Sequence, residues 1–372
     1  KRKPPEIKFS PANPYEEGEI NLQDSKNPVD IALAAHFKSL GIKPAKRCSD
    51  SVFIRRATLD LTGRIPSPER LEAFLDDESP DKREKLVDEL LASDEFVNYM
   101  SLRLGDILRI KAEFPINLWP NAAQAYTRFI RKSLSDGLGW DEMARRMLSS
   151  SGSNFRVGEV NFLRAMQSRT PESTASCVAL TFMCARYDKI PEERRKALAS
   201  FFSRVGYKST KEWKEEIVFD DPSKRAPFVS VFPDGSAAVF SADMSVRAGF
   251  AEWLTKRGNP YFSKAFANRI WTWIFGTPIV SPVDDMFFSG NRPVSARLLE
   301  TLAEKFERSG FDIRGLIRTI VLSEAYSQSF IPEPSNNPEA AAKNFAVYPV
   351  RRLDAEILID TVCSITGTTE IY

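Results

Sequence analysis

Histidine is almost missing from these 372 residues: the chain has one, His36. A serine–histidine–aspartate triad, a cysteine–histidine pair or a histidine-rich metal site would each have to be built on it. His36 falls in VDIALAAHFKSL, beside the face carried by Val29, Leu33 and Leu40, where it reads as a helix-packing residue. Acid–base chemistry in this chain would therefore fall to carboxylates. Cysteine is scarce too, and four are too few for a disulfide scaffold. Cys177 and Cys184 share one predicted helix, about 10 Å apart along its axis at ~1.5 Å per residue, which is beyond disulfide reach. Charge of one sign is missing as well. Lys and Arg number 52 against 50 for Asp and Glu, a net charge of +2, so there is no basic footprint for nucleic acid. No apolar run approaches the ~18 residues of a membrane-spanning helix, and no glycine-rich loop is set to cradle phosphate.

What the chain does have is local helical grammar. Residues 1–27 read as a linker, and the Pro-rich, charged start KRKPPEIKFSPANP as what remains after a targeting segment or upstream module is removed. A helix is predicted from about Pro28 to Leu40, and another through SDSVFIRRATLDLTG up to Gly63. IPSPERLEAFLDD and SPDKREKLVDELLAS each open on a Ser-Pro start signal, and further helices are expected at 94–111, 120–136 and 140–149. Between 206 and 243 the texture turns β-rich, with Pro233-Asp234-Gly235 as a turn between two strands. The fold expected is mainly α: two helical domains, 28–205 and 244–372, separated by a small β-hairpin insertion at 206–243.

FIRRATLDLTGRIPSPERLEAFL followed by DKREKLVDELLAS resembles the first domain of the planctomycete-type cytochrome-associated proteins. NPYFSKAFANRIWTWIFGTPIVSPVDDM, SGFDIRGLIRTIVLSEAYSQS and RRLDAEILIDTV resemble the partner domain that follows it, so the likeness covers most of 28–367. The resemblance implies an exported protein, periplasmic or extracellular, from a family of unknown function. It also implies a C-x-x-C-H-x-H-P site in TFMCARYDKIP. Cys184 and Pro191 fit that pattern, but Tyr187 stands at the second cysteine and Asp188 and Ile190 at the two histidines. Covalent haem needs both thioethers and the histidine ligand, and a metal there needs the same soft donors. Neither a metal nor a cofactor is expected at this degenerate site.

Three aspartates are the candidate catalytic groups. Asp284 and Asp285, in PIVSPVDDMFF, form an acidic pair in a Pro-bounded apolar loop, where two carboxylates forced together would share a proton. The alternative is structural: adjacent residues often point apart, and one of the two would cap a segment or pair with Arg269. Asp60, in DLTG, is reminiscent of an aspartic-protease loop with the wrong spacing, and sits one helical turn from Arg56. Trp271 and Arg269 are the candidate substrate-binding residues, although Trp271, Trp273 and Phe275 cannot share one helix face, and core packing competes with sugar stacking.

Two function classes remain open. One is a carboxylate-dependent, aspartic-type hydrolase of extracellular glycoprotein such as mucin. The other is a non-catalytic module that binds a polysaccharide or a cytochrome-bearing protein. An enzyme needs two carboxylates in one cleft, whereas a module should hold its acids in ion pairs.

Overall fold

A computed structural model of the chain describes residues 14–369. It is mainly α, 52% helical, with small antiparallel sheets, as the sequence predicts. Helices begin where the chain is punctuated. Asn27, Ser67 and Thr170 each turn a side-chain oxygen onto an amide of the first turn, and each is followed by Pro at the first helical position. These caps satisfy amides that have no intrahelical partner, and proline has no amide to leave unsatisfied there. Gly41 closes the first helix, Pro28–Leu40, in the left-handed region at φ 66.

By their contacts the residues gather into two compact units, each assembled from separate stretches of chain. One unit combines the described residues up to Leu59 with Arg64–Val87 and the chain from Val321 onward; the other holds Asp60–Gly63 and Asp88–Ile320. Of the expected linker, residues 1–13 lie outside the described residues. Beyond them it holds a short strand, Glu16–Gly18, antiparallel to Arg47–Cys48.

In the first unit residues 25–48 and 324–329, far apart in sequence, are tied by backbone and buried charge. The Cys48 amide donates to the Ser327 carbonyl at 2.7 Å, and that of Ser329 to Lys46 at 2.7 Å. Asp30, with no exposed surface, accepts from the amides of Glu324 and Ala325 and from the Ser25 hydroxyl. Burial pushes the Asp30 carboxyl above its usual range, and these bonds pull it back only in part. The Arg56 guanidinium lies 3.6 Å from the centre of the Tyr348 ring and donates to the Tyr326 carbonyl. His36 bonds Asn344 at 2.9 Å, in the packing role expected of it.

The second unit is built around stacked aromatics. Trp140 is buried against Phe266, with centroids 4.7 Å apart, and against Phe182 at 5.6 Å. Its β segment holds two hairpins where one was expected. Val205–Ser209 pairs with Glu216–Asp220, and Phe228–Val231 pairs with Ala237–Phe240 across the predicted Pro-Asp-Gly turn. Gly152–Ser153 adds a third strand to the first hairpin. Arg247, 1% exposed, joins this sheet to the helix Trp140–Ser149 by bonding Asp220 and the carbonyls of Leu148 and Ser150. No described helix is long and apolar enough to cross a membrane.

Candidate functional site

The loop after helix Phe262–Phe275 carries the acidic pair, and Asn268 shapes its start. The Asn268 side chain donates to the Val280 carbonyl at 3.1 Å and accepts from the Val280 amide at 3.0 Å. The Met286 amide then donates to the Cys184 carbonyl at 2.8 Å. Between these anchors the two carboxylates separate. Asp284 accepts from Arg269 Nη2 at 2.8 Å with its side chain 55% exposed, while Asp285 turns inward and accepts from Ser289 Oγ at 2.7 Å. The expected shared-proton pair is therefore replaced by the structural alternative, because the turn sends consecutive side chains to different partners.

Arg269 is buried and reaches inward. Its Nη2 also lies 3.0 Å from Cys184 Sγ and 3.2 Å from the Leu180 carbonyl. A guanidinium so enclosed is a structural clamp, which corrects its expected substrate-binding role. Trp271 needs the same correction. It has no exposed surface and stacks on Phe275 with centroids 3.9 Å apart, so no ring face is open to a sugar. Asp60 lines a separate fissure with Tyr99, Arg103 and Trp273. That fissure offers about 10 Å³, room for one water at most, so it is no substrate cleft.

The positions of the degenerate motif diverge as well. Cys184 is buried, and burial pushes its thiol up, with Arg269 offsetting only part of the effect. The Tyr187 hydroxyl donates to the Arg195 carbonyl at 3.1 Å, Asp188 pairs on the surface with Arg186 at 3.2 Å, and Ile190 is buried. Among the described residues no three His, Cys, Asp or Glu side chains are grouped to hold a metal.

A more open hollow, of about 680 Å³, lies in the second unit between 115–119, 164–169 and 209–216. Trp119 and Trp213 meet edge to face in it, with centroids 4.8 Å apart and planes at 70°. Trp213 is 69% exposed. Two of its carboxylates, Glu215 and Glu216, are engaged. Glu216 bonds Arg164 at 2.9 Å and Arg169 at 2.7 Å, and Glu215 accepts from the hydroxyls of Ser153 and Thr210. Desolvation of Glu216 works upward, but the two arginines prevail and its carboxyl is lowered. Two hydroxyl bonds lower Glu215. Both therefore stay ionised and unsuited to act as general acids. Sequence reasoning missed this hollow. The available signal was Trp213 itself, an aromatic set in the charged, strand-connecting run KEWKEE.

Residues 28–207 match PSCyt2, described as a protein of unknown function (DUF1549), and residues 246–371 match PSD1, described as a protein of unknown function (DUF1553). The chain belongs to the family that pairs these planctomycete cytochrome-associated domains. No curated protein and no solved structure matches it. The wall of the hollow formed by 209–216 falls between the two matched segments.

Proposed function

We propose that the chain is a non-catalytic binding module of an exported protein, and that its ligand is extracellular polysaccharide or the glycan of a glycoprotein such as mucin. The observation that carries this reading is the divergence of the expected acid pair: Asp284 is held by Arg269 and Asp285 by Ser289. Aspartic-type hydrolysis needs two carboxylates close enough to share a proton. A periplasmic or extracellular site of action, the expectation from the sequence resemblance, is where such polymers are met.

The test is a survey of purified protein, from acid to neutral pH, on mucin and a panel of soluble polysaccharides, scored both for retention on the polymer and for its cleavage. Retention without cleavage is expected, unchanged by Asp284→Asn or Asp285→Asn. Cleavage abolished by either variant would replace the module with the hydrolase. Recovery of the natural full-length product in the cytosolic fraction would remove the export half of the proposal.

A further inference from the structure

We propose that the Trp119–Trp213 hollow is the saccharide subsite of this module, with a pyranose ring stacked on the outer face of Trp213; this rests on the binding-module reading above. The geometry singles out that face. An indole 69% exposed is a large apolar surface left in water, and such rings hold a ligand's apolar face while their rims stay wet. Here the ring is held in place. Trp119 abuts it edge to face at 4.8 Å, and the ammonium of Lys214 lies 4.7 Å from the Trp119 centroid and 5.5 Å from that of Trp213.

The position of Lys214 also decides the ligand class. Two indoles near a right angle make the corner in which a quaternary ammonium would sit. In this chain its own lysine fills that corner. What remains is one open aromatic face beside exposed amides, Asn117 and Gln167, which suits a hydroxyl-rich ring with one apolar face. The charges around it largely cancel. Arg164 and Arg169 share Glu216, and across the whole lining Arg164, Arg169, Lys211 and Lys214 stand against Glu212, Glu215 and Glu216, an excess of a single positive charge. A mostly neutral sugar is favoured over a densely charged polymer.

The hollow is also built rather than incidental. Asn117, Trp119 and Lys214 all adopt positive φ, at 55°, 67° and 63°, and Trp119 has ψ 156, a region costly for any residue with a side chain. The surrounding bonds hold that geometry. The amides of Leu118 and Trp119 donate to the carbonyls of Lys111 and Ala112 at 3.2 Å each, and Glu215 and Glu216 fix the opposing turn. Its volume of about 680 Å³ falls in the range of small-ligand sites.

The experiment is affinity electrophoresis of the whole chain in gels containing a neutral β-glucan, a polyuronate or mucin, with Trp213→Ala and Trp213→Phe alongside. The wild type should be retarded most by the neutral glucan. Trp213→Ala should bind at least about tenfold more weakly, with Trp213→Phe between them, as for a central aromatic contact. Trp213 is so exposed that both variants should keep the wild-type melting temperature. Tetramethylammonium should not release the polymer. Equal retardation of wild type and Trp213→Ala would overturn this subsite and leave the module standing. Release by tetramethylammonium, or retention by polyuronate alone, would overturn the neutral-sugar assignment. Failure of every gel to retard the wild type would overturn the subsite and the module's polymer ligand together.

Discussion

Cys184 ends its helix, Pro171–Met183, in the left-handed region, at φ 45 and ψ 46, and its thiol is fully enclosed beside Arg269. At that position the cysteine packs in the interior. The next side chains of the motif leave in other directions, Tyr187 toward Arg195 and Asp188 toward Arg186. Thiolate reactivity requires exposure and a lowered pKa, whereas burial raises both Cys184 and Cys48. All four cysteines are free, with Cys48 and Cys184 buried and Cys177 and Cys363 partly exposed. Titration of the native protein with an aromatic disulfide reagent should therefore find two slowly accessible thiols, and denaturant should release two more. Four fast thiols in the native state would contradict the enclosure of Cys184. The sequence already allowed the Asp284–Arg269 pair as an alternative, because a buried arginine and a nearby acid attract whatever the loop's shape. It could not say which way Asp285 would point, since that depends on a turn closed by Ser289 and Asn291.

Helix starts were legible because capping is local chemistry. Ser67-Pro68 and the run at Pro28 mark their helices within a residue or so, and the predicted 120–136 and 140–149 correspond to Pro120–Ser135 and Trp140–Ser149. Elements whose partners lie far along the chain were not legible. Gly152–Ser153 is a strand only because Ile217 and Val218 pair with it, and two residues carry no period of their own. The Trp119–Trp213 hollow was hidden for the same reason, its walls being far apart in sequence. The 3-10 turn Gly158–Leu163 depends on close approach to helix Pro120–Ser135. A Cβ on Gly158 would run into the Ala125 carbonyl oxygen and lie 2.9 Å from Phe129 Cβ. Backbone cannot step aside as a flexible side chain can. Asn161, buried in the same turn, donates to the carbonyls of Ala122, Asn154 and Gly158 and would be strained with it. Gly158→Ala should therefore cost about 1–3 kcal/mol, read as a lower denaturation midpoint at unchanged slope. An unaltered midpoint would show that this turn has room to shift.

At the scale of the molecule, the net charge of +2 conceals many ion pairs, and their burial decides which of them matter. Asp88–Arg318, with side chains 49% and 39% exposed, is screened by solvent and contributes little. Arg164, 3% exposed, is different, because it has been taken out of water against Glu216. In the first unit Asp50 is held by Lys82 at 2.6 Å and Arg83 at 2.7 Å; burial works upward on its carboxyl, but those bonds win and lower it. Carboxyls lowered on folding contribute stability that is present above their unfolded values, 3.8 for Asp50 and 4.5 for Glu216, and lost as pH falls through the folded ones. Asp30 has the opposite sign: its raised carboxyl costs least below 3.8, and it favours the folded state less as pH rises through its folded value. The lowered groups act in both units, so the melting temperature should be flat near neutrality and fall steeply once the pH drops below about 4.5. Glu216→Gln separates this cause from general charge repulsion. It leaves the buried Arg164 without its counter-charge, so the variant should melt lower at pH 7, by the order of 3 kcal/mol for a broken buried pair. It should also lose less on acidification than the wild type, because the proton it would have taken up no longer has a site. Parallel wild-type and variant curves across the acid limb would mean that Glu216 is not one of the groups whose protonation unfolds the chain.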